Sequence, residues 1–242
     1  MTKIKALLLA GGYGTRLRPI TYTIPKCLVK IGNIPLLGHW LQLLDKADCN
    51  EAIVNTHYLR DQVSRFLTAQ TYCKFPIKEF YEEKLLGTAG TLVANKEEFA
   101  DSIGLLIHAD NVISFEIREL INAHLARPDN CVLTMATFTT DKPSECGIVT
   151  CDENNVVQKF HEKEKSPPGN RANGAIYVFG NDFLRELEAM GPNVNDFSTQ
   201  VLPNFLGRIF TWHTNKPFLD IGTPDNLGKA QRIWPASAAE SL

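Results

Sequence analysis

Near the start of the chain an apolar run, Leu7-Leu8-Leu9-Ala10, stops at Gly11-Gly12-Tyr13-Gly14-Thr15-Arg16, and Pro25-Lys26 follows. Glycines lack Cβ and let backbone N–H groups come close to a phosphate. Arg16 and Lys26 supply the charge that neutralises it. Together they read as a loop that holds a nucleoside triphosphate, with a plain strand-to-loop turn as the alternative. A P-loop would need Gly-Lys-Ser/Thr after four intervening residues, and no lysine stands there. A dinucleotide fingerprint fails at Leu17, where its third glycine belongs. A second reactive position is Asp110, which ends the apolar run Ile103-Gly104-Leu105-Leu106-Ile107. A carboxylate at the carboxyl end of a buried strand, facing a triphosphate, suits Mg²⁺. The other use of Asp110 is to cap a helical segment starting near Ser114.

These residues need elements to hold them. Residues 4–10, 51–55, 77–81, 103–107 and 131–138 read as strands. Helical spacing recurs over 35–44, 59–67, 87–99 and 115–125. Alternating strands and helices predict an α/β sheet covered on both faces. After Phe138 the pattern changes: 147–150, 156–161 and 175–179 read as strands with no long helix between them, which predicts a mixed, partly antiparallel extension. Residues 166–170 form a loop, 183–190 and 197–205 short helices, and 209–213 a strand. Pro224 opens a last helix over 224–233. The tail 235–242 is small and polar and reads as frayed. No internal repeat is present.

The 242 residues are 44% hydrophobic and 21% charged, a globular balance with room for a large core. A net charge of -2 and a pI near 6.3 give no global field for nucleic acid or an anionic membrane. No apolar run approaches membrane-spanning length. The six cysteines, at positions 27, 49, 73, 131, 146 and 151, form no C-x-x-C pair. They read as reduced, packed thiols of a cytosolic protein.

The string Ala10-Gly11-Gly12-Tyr13-Gly14-Thr15-Arg16-Leu17-Arg18-Pro19 with Pro25-Lys26 resembles the signature of the sugar-1-phosphate nucleotidylyltransferases. The resemblance runs from about residue 4 to residue 233. It implies one Rossmann-like nucleotidyltransferase domain over 1–242, α/β with a mixed, mainly parallel central sheet; some members of the family add a C-terminal β-helix, which is not expected here because no hexapeptide repeat follows the α/β region. In that family the loop wraps the triphosphate, here Ala10, Gly11, Gly12, Gly14, Thr15, Arg16 and Lys26. Asp110 takes the place of the aspartate in the family's Gly-Asp pair, with Ala109 before it. Phe218-Leu219-Asp220-Ile221-Gly222-Thr223-Pro224 resembles Trp-x-Asp-Ile-Gly-Thr-Pro, which makes Asp220 the second Mg²⁺ carboxylate.

Phe160-His161-Glu162-Lys163 resembles the family's Phe-x-Glu-Lys, in which the lysine binds the sugar phosphate and the glutamate sugar hydroxyls. A solvated charged face is the bland reading of that stretch. Asn173 and Gly174 resemble the residues that open the sugar pocket, and Gly147 the glycine lying against the sugar. Glu82 precedes Leu86-Gly87-Thr88-Ala89-Gly90, which resembles Leu-Gly-Thr-Ala-Gly; Glu82, Gly87, Thr88 and Ala89 then face base and ribose.

The implied reaction joins an NTP and a sugar 1-phosphate to give an NDP-sugar and pyrophosphate. Arg16, Lys26, Asp110, Lys163 and Asp220 carry it. The acidic residue ahead of Leu-Gly-Thr-Ala-Gly looks most like the mannose and heptose 1-phosphate guanylyltransferases, and so favours GTP. Uridylyl or thymidylyl transfer is the close competitor. From another class, a non-catalytic nucleotide-sugar-binding paralogue stays open. A glycosyltransferase is disfavoured, because Asp110-Asn111-Val112 lacks a second aspartate. Self-association into a homo-oligomer is compatible with this reading.

Overall fold

The computed structural model describes residues 2–235. The frayed tail expected from the sequence falls, beyond Pro235, outside the described residues. The chain divides into two compact units. One comprises Met1–Lys5, Leu86–Ile107 and Ile117–Lys216; the other comprises Ala6–Leu85, His108–Glu116 and Pro217–Leu242.

The second unit carries the glycine loop. Strand Lys3–Leu9, whose last four residues belong to this unit, neighbours Glu51–Thr56. Glu51–Thr56 pairs in parallel with Ile77–Tyr81, from Ala52↔Ile77 to Thr56↔Tyr81. Ala52, Ile53 and Val54 are all buried, as expected of a parallel strand covered on both faces. Helix Leu36–Lys46 buries Leu36, Leu37, Trp40, Leu41 and Leu44, one stripe at helical spacing. A short antiparallel ribbon joins Asn111–Ile113 to Phe218–Asp220, in the register Asp220↔Asn111. Behind it Leu17, Val29, Ile31, Leu36, Val112 and Ile221 close into one apolar cluster.

In the other unit, Val157–Glu162, Gly147–Cys151, Arg171–Phe179 and Ser102–His108 follow one another in antiparallel pairs. Leu133–Thr139 pairs antiparallel with Arg171–Phe179 and parallel with Ile209–Thr214. The core beside them is aromatic, with Tyr177–Phe197 ring centroids 4.5 Å apart and Phe183–Phe205 4.9 Å. Such pairs add to the burial of the rings themselves.

The structure departs from the sequence pattern at several places: the strand expected over 175–179 begins at Arg171, and a short ribbon pairs Lys30–Ile31 with Ile34–Pro35. The helix expected over 87–99 ends at Ala94 and continues as the 3-10 turn Lys96–Phe99. Asn95 ends it by donating its side-chain amide to the Thr91 carbonyl, 2.9 Å away. The short helix expected over 197–205 is a π-helical turn, Phe197–Val201, followed by a 3-10 turn, Leu202–Phe205. Pro203 has no N–H to continue an α ladder. The ribbon strands Asn111–Ile113 and Phe218–Asp220 are too short to show a period, and sequence pattern misses them. Asp110 accordingly precedes a strand, and the nearby helix begins only at Ile117. Among the described residues no helix is long and apolar enough to cross a membrane. All six cysteines are free thiols, and burial pushes Cys27 and Cys49 up to about 12.

One buried histidine sets a pH limit on stability. His124, on helix Ile117–Leu125, is 2% exposed, with Nδ1 2.9 Å from Thr134 Oγ1. Burial, aided by the Arg127 charge, pushes its pKa down from 6.5 to about 3. The unfolded chain therefore binds a proton in a range where the folded chain does not. The neutral histidine costs nothing above its unfolded pKa, and stability falls as pH drops from about 6.5 toward 3, by at most about 1.4 kcal/mol per pH unit. Urea unfolding followed across that range should show this slope, and His124→Gln should flatten it.

Candidate active site

In the unit that carries the glycine loop, strand Lys3–Leu9 ends the apolar run and delivers the loop. Gly14 sits at φ +61°, the left-handed region in which glycine is favoured. A Cβ there would lie 2.9 Å from Thr21 Cγ2 and 3.1 Å from Lys26 Cβ. The 3-10 turn Thr15–Leu17 follows, with Leu17 fully buried as its anchor and Arg16 turned outward, its side chain 67% exposed. Thr21 Oγ1 donates to the Gly14 carbonyl at 2.8 Å and pins the turn.

Asp110 and Asp220 are 110 positions apart in sequence, and the ribbon brings them together. The Ile221 amide donates to the Asp110 carbonyl at 2.9 Å, and Trp40 Nε1 donates to the Asn111 carbonyl at 2.9 Å. Helix Pro224–Ile233 braces the far side. Thr223 caps it through the Asn226 amide, and Asn226 Nδ2 donates to the Asp220 carbonyl at 2.9 Å.

Lys26 Nζ lies between the two carboxylates, 2.7 Å from Asp110 Oδ2 and 3.3 Å from Asp220 Oδ1. Arg16 Nη2 stands 3.4 Å from Asp220 Oδ2. Burial alone would raise the Asp110 carboxyl, but the Lys26 ammonium, with His108 beside it, holds it below the usual carboxylate range. Asp110 is therefore an anion at neutral pH. A cavity of about 60 Å³ opens here, lined by Leu9, Ala10, Gly12, Lys26, Cys27 and Asp110 among others.

Two oxygen anions already sharing one cation are a donor set that fits a hard divalent ion such as Mg²⁺. Among the described residues no third His, Cys, Asp or Glu joins them into a three-ligand cluster. Substrate phosphates and water would complete such a shell, which is how Mg²⁺ is usually held in phosphoryl-transfer sites.

Gly222 lies inside the Asp-Ile-Gly-Thr-Pro motif, but residue type alone does not mark it for the site. A Cβ on it would come within 2.7 Å of Arg16 Nη2 and 2.9 Å of Asp220 Oδ2. Only side-chain ends stand in its way, so Gly222→Ala should fold with a melting temperature within a few degrees of the parent. The displaced guanidinium should lower turnover roughly tenfold, the scale of one charged hydrogen bond. Paired thermal and steady-state measurements on Gly222→Ala check this.

Glu82 is 3% exposed and accepts from Asn55 Nδ2 at 3.1 Å. Asn55 Oδ1 in turn accepts from the Ala10 amide at 2.6 Å and the Gly11 amide at 3.1 Å. Asn55, too, escaped the sequence reading. Its signal is a lone amide inside the apolar strand Glu51–Thr56.

In the other unit, Gly87 opens helix Gly87–Ala94 at φ +80°, and a Cβ there would fall 2.3 Å from the Asn195 carbonyl. The Ala89 amide donates to that same carbonyl at 3.0 Å, and Thr88 Oγ1 accepts from the Phe197 amide at 2.8 Å. Gly147 lies opposite Glu162 in the sheet. A Cβ on Gly147 would meet Phe160 Cζ at 2.6 Å and Glu162 Oε2 at 2.8 Å, so the glycine leaves space for that carboxylate.

Lys163 follows at φ +50°, with its amide donating to the Cys146 carbonyl at 3.2 Å. Its ammonium lies 3.2 Å from Glu162 Oε1, and its side chain is 66% exposed. Asn173, Gly174 and Ala175 form a bulge where the pairing with Leu133–Thr139 shifts register, and Ala175 takes φ +53°. Asn173 holds the bulge: its Oδ1 accepts from the Ala175 amide at 2.9 Å, and its Nδ2 donates to Tyr177 Oη at 2.7 Å. Bulges and left-handed non-glycine residues recur beside functional sites, where they re-aim side chains.

The sequence profile of the nucleotidyl transferase family matches residues 5–236, and the chain belongs to that family. The probable mannose-1-phosphate guanylyltransferase 1 of Oryza sativa subsp. japonica is 30% identical over 247 residues, covering 96% of this chain and 64% of the relative. The chain thus spans just under two thirds of that protein. Among solved structures, HddC from Yersinia pseudotuberculosis complexed with GMP-PN superposes with a TM-score of 0.80 at 23% identity, covering 96% of this chain and 99% of that one. A UDP-glucose pyrophosphorylase complexed with UDP-glucose gives 0.82 at 19% identity, covering 97% and 98%. These likenesses are of fold: Rossmann-like α/β with a mixed, mainly parallel central sheet.

Proposed function

We propose that this protein transfers a nucleoside monophosphate from an NTP, GTP in preference, to a sugar 1-phosphate, releasing pyrophosphate. The single observation that carries the reading is the charged knot of Arg16, Lys26, Asp110 and Asp220 beside the glycine loop. The family assignment and the guanylyltransferase named among its relatives support it.

The chemistry asks for no general base. The nucleophile is an oxygen of a phosphate monoester, whose second pKa is about 6, so it is largely ionised at neutral pH. What remains is to bring two anions together and align attack on the α-phosphorus. The Ala10 and Gly11 amides are engaged by Asn55, so the amides from Gly12 to Thr15 do the cradling. Arg16 and Lys26 neutralise the triphosphate and the departing pyrophosphate. A Mg²⁺ ion held by Asp110 and Asp220 would add charge neutralisation on the phosphates. Lys163 holds the sugar phosphate, with Glu162, Gly147, Asn173 and Gly174 toward the sugar. Glu82, with Gly87, Thr88 and Ala89, faces the base and ribose. A carboxylate accepts from both N1–H and N2–H₂ of guanine, a pair that adenine and the pyrimidines lack. A site built for such a pair rejects analogues strongly, because its own polar group is left unpaired.

A matrix of GTP, UTP, dTTP, CTP and ATP against a panel of sugar 1-phosphates, read by pyrophosphate release with Mg²⁺, tests the reading. We expect release with GTP and a manno-configured sugar phosphate. A preference for UTP or dTTP would overturn the base assignment, and silence across the matrix would overturn the enzyme in favour of a nucleotide-sugar-binding protein.

A further inference from the structure

We propose that Asn55 is a positioning residue that couples the base-reading carboxylate of Glu82 to the phosphate-holding loop. The proposal rests on the reading of Glu82 as the group that meets the base. Asn55 is 4% exposed in the middle of its unit, on strand Glu51–Thr56. Its amide is fixed in orientation by its neighbours. One end faces two donors, the Ala10 and Gly11 amides at 2.6 and 3.1 Å; the other faces an acceptor, Glu82 Oε1 at 3.1 Å. Only a side chain with both an acceptor and a donor satisfies this, and asparagine has both.

The connection is doubled. The Glu82 amide donates to the Thr56 carbonyl at 2.9 Å, next to Asn55 in the strand. The Glu82 carbonyl is 2.8 Å from His57 Nδ1, and His57 Nε2 is 2.9 Å from Tyr13 Oη. A carbonyl only accepts, so Nδ1 carries the proton, and Tyr13 Oη meets the ring at Nε2. Residues 10, 11 and 13 of the loop are thus joined to Glu82 by two hydrogen-bonded paths, one through Asn55 and one through His57. The ring leaves little slack, since a Cβ on Gly11 would stand 3.1 Å from Asn55 Nδ2. A base that draws on the Glu82 carboxylate therefore pulls on the amide that sets the start of the loop. Base identity then reaches the phosphate end of the site, and discrimination appears in kcat as well as in KM.

Two substitutions separate the two ends of the amide. Asn55→Asp keeps an acceptor for the Ala10 and Gly11 amides but sets a second carboxylate against Glu82. Asn55→Ala removes both contacts. Steady-state kinetics of the full chain with GTP and with UTP, each with the accepted sugar 1-phosphate, give the discrimination ratio, and thermal unfolding monitors the fold. Asn55→Asp should lower kcat/KM for GTP at least tenfold and for UTP less than threefold. Asn55→Ala should lower both, GTP the more. If Asn55→Asp lowers the two nucleotides equally, or neither, the coupling is wrong and Asn55 serves packing alone. The Asp variant keeps the loop contacts and so tests the idea even if the Ala variant fails to fold. Failure of the base reading shows separately, as a wild-type protein that does not favour GTP. The ratio is then taken for whichever base wild type prefers, and an unchanged ratio in Asn55→Asp still overturns the coupling.

Discussion

Replacing Asp220 by alanine is expected to reduce turnover at least 100-fold, the loss of an electrostatic contribution of about 3 kcal/mol or more. Asp110→Ala should do the same. The two carboxylates converge on one cation, Lys26 Nζ, from two separate strand ends. Removing Asp110 leaves Lys26 and Arg16 on Asp220, removing Asp220 leaves Lys26 on Asp110, and either change halves the carboxylate charge available to a divalent ion. Binding of free NTP should suffer far less, because Arg16, Lys26 and the loop amides remain. Single-turnover rates at saturating Mg²⁺, with NTP binding measured by calorimetry, separate the two quantities. Near-normal turnover of Asp220→Ala at high Mg²⁺ would remove the two-aspartate site.

A second large effect should divide the substrates. Lys163→Ala is expected to raise KM for the sugar 1-phosphate by about 10- to 100-fold, the worth of one charge-assisted hydrogen bond, and to leave KM for the NTP nearly unchanged. Arg16→Ala should act on the NTP side and on turnover. The motivation is positional. Arg16 stands beside Asp220 at the glycine loop. Lys163 stands beside Glu162 at the end of strand Val157–Glu162, held in a left-handed conformation that aims the residue away from the strand direction. Both side chains are about two-thirds exposed, so neither substitution should cost stability, and the kinetic split is clean. Equal effects of either substitution on both substrates would sink the assignment.

Much of this arrangement is legible in the chain itself. The glycine loop after an apolar strand, Lys26 after its proline and Asp110 at a strand end are local patterns, set by residue types within a few positions. The alternation of apolar runs and helical stripes is local too, and it places the longer strands and most helices. Element ends are less legible. Asn95 and Pro203 decide theirs through one side-chain hydrogen bond and one missing N–H, both weak signals beside a continuing apolar pattern.

What tertiary structure alone decided is which of those residues meet. The ribbon that sets Asp220 beside Asp110 has three residues a side, far too short for a period, and its register comes from packing on the cluster of Leu17, Ile31, Val112 and Ile221. The crowding at Gly222 comes from Asp220 Oδ2 two residues before it and from Arg16, which arrives from the far end of the chain. Asn55 looks in sequence like one polar residue in a buried strand. Only the fold shows that a buried amide must find both a donor and an acceptor, and that it finds them in the loop and in Glu82.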